Sequence, residues 1–172
     1  MLSVSFLQFA AATIISYFGL LAGFLLASVT PEELPTGKKY FSLLQRLVIL
    51  VVGILAANFF GYGAALKLVA YAFLLALLVL NVNVRLAYGA FGILLFAAAI
   101  DLNMLLMMSS LVFIFGLASG SDYFSHAAKK KGSKAAVAIG LLRANALYPA
   151  IALILFLLFF QLGLAKLLPG FS

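Results

Sequence analysis

Apolar residues run along this chain in long blocks separated by short polar punctuation, and block length is what predicts the elements. A helix needs roughly 20 apolar residues to cross a hydrocarbon core of about 30 Å. The first block, from about Val4 to Val29, meets that length. Thr30 then stands as an N-cap, Pro31 at a first helical position and Glu33 at the place that completes a capping box. Pro35 and Gly37 cut the turn short, so Pro31 to Tyr40 reads as a polar loop with one helical turn.

The second block runs from about Leu43 to Phe60 and closes on Gly61-Tyr62-Gly63. The third, Ala64 to Leu80, ends at Asn81-Val82-Asn83 and Arg85. The fourth and fifth are Leu86 to Ile100 and Leu102 to Ala118, divided at Asp101. A polar stretch from Ser119 to Leu142 follows. The sixth block, Ala144 to Leu164, carries Pro149, which predicts a bend near its start. Backbone groups in lipid must find partners within their own segment, so each block is read as a helix.

The expectation is one all-α transmembrane domain over residues 1–172, a polytopic bundle of six transmembrane helices. The fourth and fifth blocks, 15 and 17 residues long, reach only about 22–26 Å at helical rise. A re-entrant hairpin over residues 86–118 is the alternative to two full crossings.

Composition supports the bilayer. Hydrophobic residues make up 67% of the chain and charged ones 9%, with a mean hydropathy of +1.27. Ordinary soluble domains are about half apolar and a quarter charged. The first apolar run has no Lys or Arg before it and is longer than the apolar core of a signal peptide, so it reads as a retained first span. Without cysteine there is neither a disulfide framework nor a thiolate site.

The net charge of +7 changes the picture through its placement. With the N-terminus outside, the inner side holds Lys38, Lys39, Arg46, Arg85, Lys129, Lys130, Lys131, Lys134 and Arg143, and the outer side holds Lys67 and Lys166. Cytoplasmic loops retain Lys and Arg, so both termini are expected outside, in the cell membrane. Orientation accounts for these charges. They show no aromatic interleaving of the kind that binds single-stranded nucleic acid, and no nucleic-acid partner is expected.

Candidate chemistry is sparse. Asp101 and Asn103 sit between apolar runs, with Lys67 expected on the same side. They form the candidate polar or ion site, since carboxylates inside membranes are costly and serve a purpose. The competing reading is a solvated turn at Asp101 and a snorkelling Lys67. Lys129, Lys130, Lys131, Lys134 and Arg143 form a candidate contact for anionic lipid, each cation contributing about 1 kcal/mol near such a surface.

Arg143, Asn145 and Tyr148 read as interfacial anchors at the start of the sixth block. His126, beside Asp122, reads as a loop histidine. Small residues recur every four positions at Gly19, Gly23 and Ala27, at Gly53, Ala57 and Gly61, and at Gly116 and Gly120, the spacing of close helix packing.

No nucleotide-binding, metalloprotease or serine-hydrolase motif is present. No catalytic residue, cofactor or metal ligand is assigned. The leading expectation is a non-enzymatic structural or accessory component of a membrane assembly. Its partners would be lipids and either further copies of itself or other membrane subunits. A small oligomeric transporter or pore is the alternative. A lipid-modifying enzyme using Arg143 with Asp122 or His126 at the inner interface is the third class.

Overall fold

The computed structural model describes residues 4–59, 83–127 and 133–161. They form six α-helices and a 3₁₀ turn, with no strand among the described residues. Helix α1 spans Phe6–Val29 and starts in a capping box: Ser5 Oγ accepts from Gln8 N at 3.3 Å, and Gln8 Oε1 accepts from Ser5 N at 2.9 Å. Two orphan donors of the first turn are thereby satisfied.

The exit from α1 differs from expectation. Thr30 does not cap a following helix. Its hydroxyl turns back to donate to the Leu26 carbonyl at 3.2 Å, and Pro31–Glu33 forms the 3₁₀ turn. Helix α2 then spans Leu34–Phe59, so much of the expected loop is helical. Pro35 permits this because the first N–H groups of a helix have no acceptor to lose. Gly37 costs about 1 kcal/mol relative to alanine, and a 26-residue helix absorbs it.

Helix α3 spans Val84–Ala98, with Asn83 Oδ1 accepting from Arg85 N at 3.0 Å. Helix α4 spans Leu102–Ala127. Helices α5 (Lys134–Asn145) and α6 (Leu147–Gln161) meet at Ala146, where Lys134–Asn145 and Leu147–Phe159 are bent by 42°. The predicted bend is present, and it falls three residues before Pro149. The proline ring clashes with the carbonyl four positions back, that of Asn145, and this puts the break there.

The expected polar stretch from Ser119 to Leu142 is therefore mostly helical: α4 runs through Ser119–Ala127, and α5 begins at Lys134. The expected third block, Ala64 to Leu80, lies outside the described residues. Among those described, α1, α2 and α4 are long and apolar enough to cross a membrane, and the bent α5–α6 pair makes a fourth candidate. At 26 residues, α4 extends about 39 Å, beyond the length assigned to it from sequence. Helix α3, with 15 residues, is the shorter member of that hairpin.

Helix α4 is the central element, with α1, α2 and α3 packed on it, while α6 lies against α3 and α1. The α1–α4 contact is backbone on backbone. A Cβ added at Gly19 would strike the Phe113 carbonyl, and one at Gly23 the Leu117 carbonyl. From the other side, a Cβ at Gly116 would come within 2.8 Å of Gly19 C, and one at Gly120 would strike the Leu20 carbonyl. Two of the expected small-residue stripes thus face each other. Gly61 of the other stripe lies outside the described residues.

Around this seam the core holds Phe9, Leu20 and Phe24 from α1, Phe91 and Leu95 from α3, and Leu105, Val112 and Phe115 from α4. Phe156 of α6 stacks on Phe9 with ring centroids 4.4 Å apart. Gly92 repeats the close approach between α3 and α6, since a Cβ there would lie 2.8 Å from the Tyr148 carbonyl oxygen.

Gly23→Leu and Gly116→Leu are expected to push α1 and α4 apart, each costing about 1–3 kcal/mol or more through overpacking. Ala11→Leu, at an exposed position of α1, is the control and should melt like the parent. Thermal melting of the purified protein in detergent is the measurement. Parental melting of both glycine variants would contradict the seam.

Candidate functional site

One end of the bundle carries a cleft of about 280 Å³ between α3, α4 and α5. Helix α3 contributes its capped first turn, Asn83, Val84 and Arg85. Helix α4 contributes Ser119, Asp122, Tyr123 and His126, whose three- and four-residue steps place them along one face. Leu141, Ala144 and Asn145 of α5 complete the lining.

The cleft runs from an exposed rim to a buried floor. His126 and Asp122 side chains are 59% and 29% exposed, whereas Ser119, Leu141 and Asn145 are buried. His126 Nδ1 lies 2.9 Å from the Asp122 backbone carbonyl and 3.6 Å from Asp122 Oδ1. The carbonyl can only accept, so Nδ1 carries the proton. Arg85 makes no ion pair among the described residues, and Asp122, on a different helix, does not neutralise it. Among the described residues no third imidazole or carboxylate joins His126 and Asp122 within metal-binding reach.

Behind the floor lies a polar and aromatic cluster. Asn145 Nδ2 donates to the Leu141 carbonyl at 2.9 Å, and Asn145 Oδ1 is buried without a partner. Tyr88, fully buried, packs edge-on against Phe115 and Tyr148 with centroids 5.2 and 5.7 Å away. Its hydroxyl meets no partner at full hydrogen-bond geometry, and Ser119 is the side chain nearest to pairing with it.

Tyr148 is satisfied. Ser16 spends its one proton on the Thr13 carbonyl at 2.9 Å, so the Tyr148 hydroxyl donates to Ser16 Oγ at 2.5 Å. Tyr17 donates to the Leu142 carbonyl, tying α1 to the last turn of α5.

The residues singled out from sequence divide into four groups. Asp122 and His126 line the cleft on a helix rather than in a loop. Asn145 and Tyr148 are buried, not interfacial, because the break before Pro149 turns both inward against α1 and α3. Arg143 and Lys134 are exposed on α5 outside the lining, and Lys129, Lys130 and Lys131 lie outside the described residues.

Asp101 is exposed and caps α4, its Oδ2 accepting from Met104 N at 3.1 Å. Asn103 is exposed beside it, and Lys67 lies outside the described residues. Sequence reasoning counted Arg85 only as an orientation charge. Its place two residues after the helix-capping Asn83 was the available signal.

No protein-family model matches the chain, and no curated protein or solved structure shows significant similarity to it.

Two pairs of substitutions test the polar bookkeeping. Tyr88→Phe removes an unsatisfied hydroxyl and should leave the melting temperature unchanged or raised. Tyr148→Phe removes a made hydrogen bond and should lower stability by about 1 kcal/mol. Equal effects would show that Tyr88 is satisfied as Tyr148 is. At the α3–α4 turn, Asp101→Asn should melt like the parent because asparagine caps as well as aspartate. Asp101→Ala should cost about 1 kcal/mol. A large loss in Asp101→Asn would assign the carboxylate a role beyond the cap.

Proposed function

We propose that this protein is a multi-pass integral membrane protein of the cell membrane, with both termini outside. In this reading it serves as a non-enzymatic accessory component among lipids and other membrane subunits. The observation that carries the reading is the apolar girdle. Phe18, Leu25 and Leu26 of α1, Leu86 and Ile93 of α3, Leu106 and Met107 of α4, and Ile154 and Leu158 of α6 are all exposed. Water does not favour so many exposed large apolar side chains on a small fold, and acyl chains do.

Helix α2 adds the accessory character. It packs chiefly on α4 through a face that includes buried Val48 and Val52. Leu43, Leu44, Leu47, Val51 and Ile54 form an exposed stripe along it. Such a stripe fits lipid or the helix of a further subunit. The orientation is supported by the Lys and Arg distribution, which gathers Arg85, Lys134 and Arg143 toward the end that holds the cleft.

Single cysteines at Asn103 and Ser133, in a chain that has none of its own, test this with a membrane-impermeant maleimide on intact cells. Asn103→Cys, at the exposed start of α4, should label. Ser133→Cys, the cap of α5, should label only after permeabilisation. The reverse pattern overturns the orientation, and recovery of the protein in the carbonate-washed supernatant overturns membrane integration.

A further inference from the structure

Arg85 and Asp122 line one small cleft from two helices, and neither closes on the other. Arg85 has no ion-pair partner among the described residues. Asp122 sits beside the His126 imidazole at 3.6 Å, on its own helix. Opposite charges left apart across a cleft favour a ligand that carries both signs. A purely anionic ligand meets Asp122, and a purely cationic one meets Arg85.

Asp122 refines the demand. Its carboxylate accepts hydrogen bonds and donates none, so it suits a primary ammonium, which has three N–H donors, better than a quaternary one, which has none. Asn145 closes the floor, with Nδ2 committed to the Leu141 carbonyl at 2.9 Å and Oδ1 sealed beneath the surface. Arg85 offers the forked cation suited to phosphate. At about 280 Å³ the cleft lies at the small end of ligand sites, which accommodates a headgroup and leaves acyl chains outside.

We propose that this cleft binds a phosphate ester bearing a primary amine, with the phosphate on Arg85 and the ammonium on Asp122. The ligand chemistry stands on the cleft alone. Only its source, an aminophospholipid headgroup or a free phosphoamine, rests on the membrane reading above.

The test uses the full chain purified in mild detergent. Dihexanoyl phosphatidylethanolamine, phosphatidylcholine and phosphatidic acid, and free O-phosphoethanolamine, are titrated and read by native mass spectrometry and thermal shift. Phosphatidylethanolamine should bind about tenfold tighter than phosphatidylcholine or phosphatidic acid, and Arg85→Gln should weaken it about tenfold, the worth of one charge-assisted contact. Asp122→Asn should shift the preference toward phosphatidic acid, which loss of fold does not produce. If Arg85→Gln is not recovered folded, the Asp122→Asn preference decides.

Equal binding of phosphatidylcholine or phosphatidic acid by the parent, or an unchanged preference in Asp122→Asn, overturns the proposal. Free O-phosphoethanolamine binding as tightly as the lipid supports a soluble phosphoamine, and weaker binding supports the lipid. Binding in detergent is independent of orientation, so failure here and failure of the labelling experiment are separate results.

Discussion

The backbone contact between α1 and α4 is the constraint on which the remaining structure depends. Gly19 and Gly23 face Gly116 and Gly120, and the absence of four Cβ atoms lets the helices approach until main chain meets main chain. Dispersion between two backbones at this range holds the pair, as it does for helices in lipid, where no water drives collapse. Only at such separation does the Ser121 hydroxyl reach the Gly23 carbonyl, at 3.0 Å, while also lying 2.9 Å from its own Leu117 carbonyl. Once α1 is fixed, the remaining faces of α4 become the surfaces on which α2 and α3 pack.

Polar groups along α4 change their task with height. Ser119 accepts from Gln45 Nε2 at 3.2 Å and ties in α2, and Ser121 ties in α1. Asp122 and His126, on the face that Ser119 begins, front the cleft. A single helix thus passes from hydroxyls that hold neighbours to charges that face an opening. The break before Pro149 has a matching effect on the opposite wall. It releases the i−4 hydrogen bond that Pro149 cannot make, and it brings Asn145 to the floor and Tyr148 to Ser16.

These two features also explain what could be read from the chain. Apolar block lengths located α1 and α6, and glycine spacing located the seam, because both depend on local composition and helical period. The extent of α4 was not legible. Ser119, Ser121 and Asp122 look like loop residues until the partners of the two serines on α2 and α1 are known. Thr30 could cap either neighbouring helix, and sequence alone does not choose between them. Arg85 carried an orientation signal that hid its place in the cleft, and Asn145 carried an interfacial signal that its burial reverses. Except at Thr30, whose partner Leu26 is four residues back, the missing information was a contact distant in sequence.

Helix electrostatics gives an independent reason to look at the basic end. Arg85 lies in the first turn of α3 and Lys134 opens α5, and neither first turn contains an acid. A cation beside the positive pole of a helix costs about 0.3–1 kcal/mol where an acid would stabilise it. The stability of α3 and α5 therefore does not explain these residues, and a requirement outside each helix must. The orientation proposed for the membrane supplies one, since it retains cations at the inner end wherever helices begin there. An anion supplies a second for Arg85: held beside the start of α3, it would meet the guanidinium and the helix pole together. That converts the local penalty into attraction on both counts, and it leaves Asp122 to select what the anion is attached to.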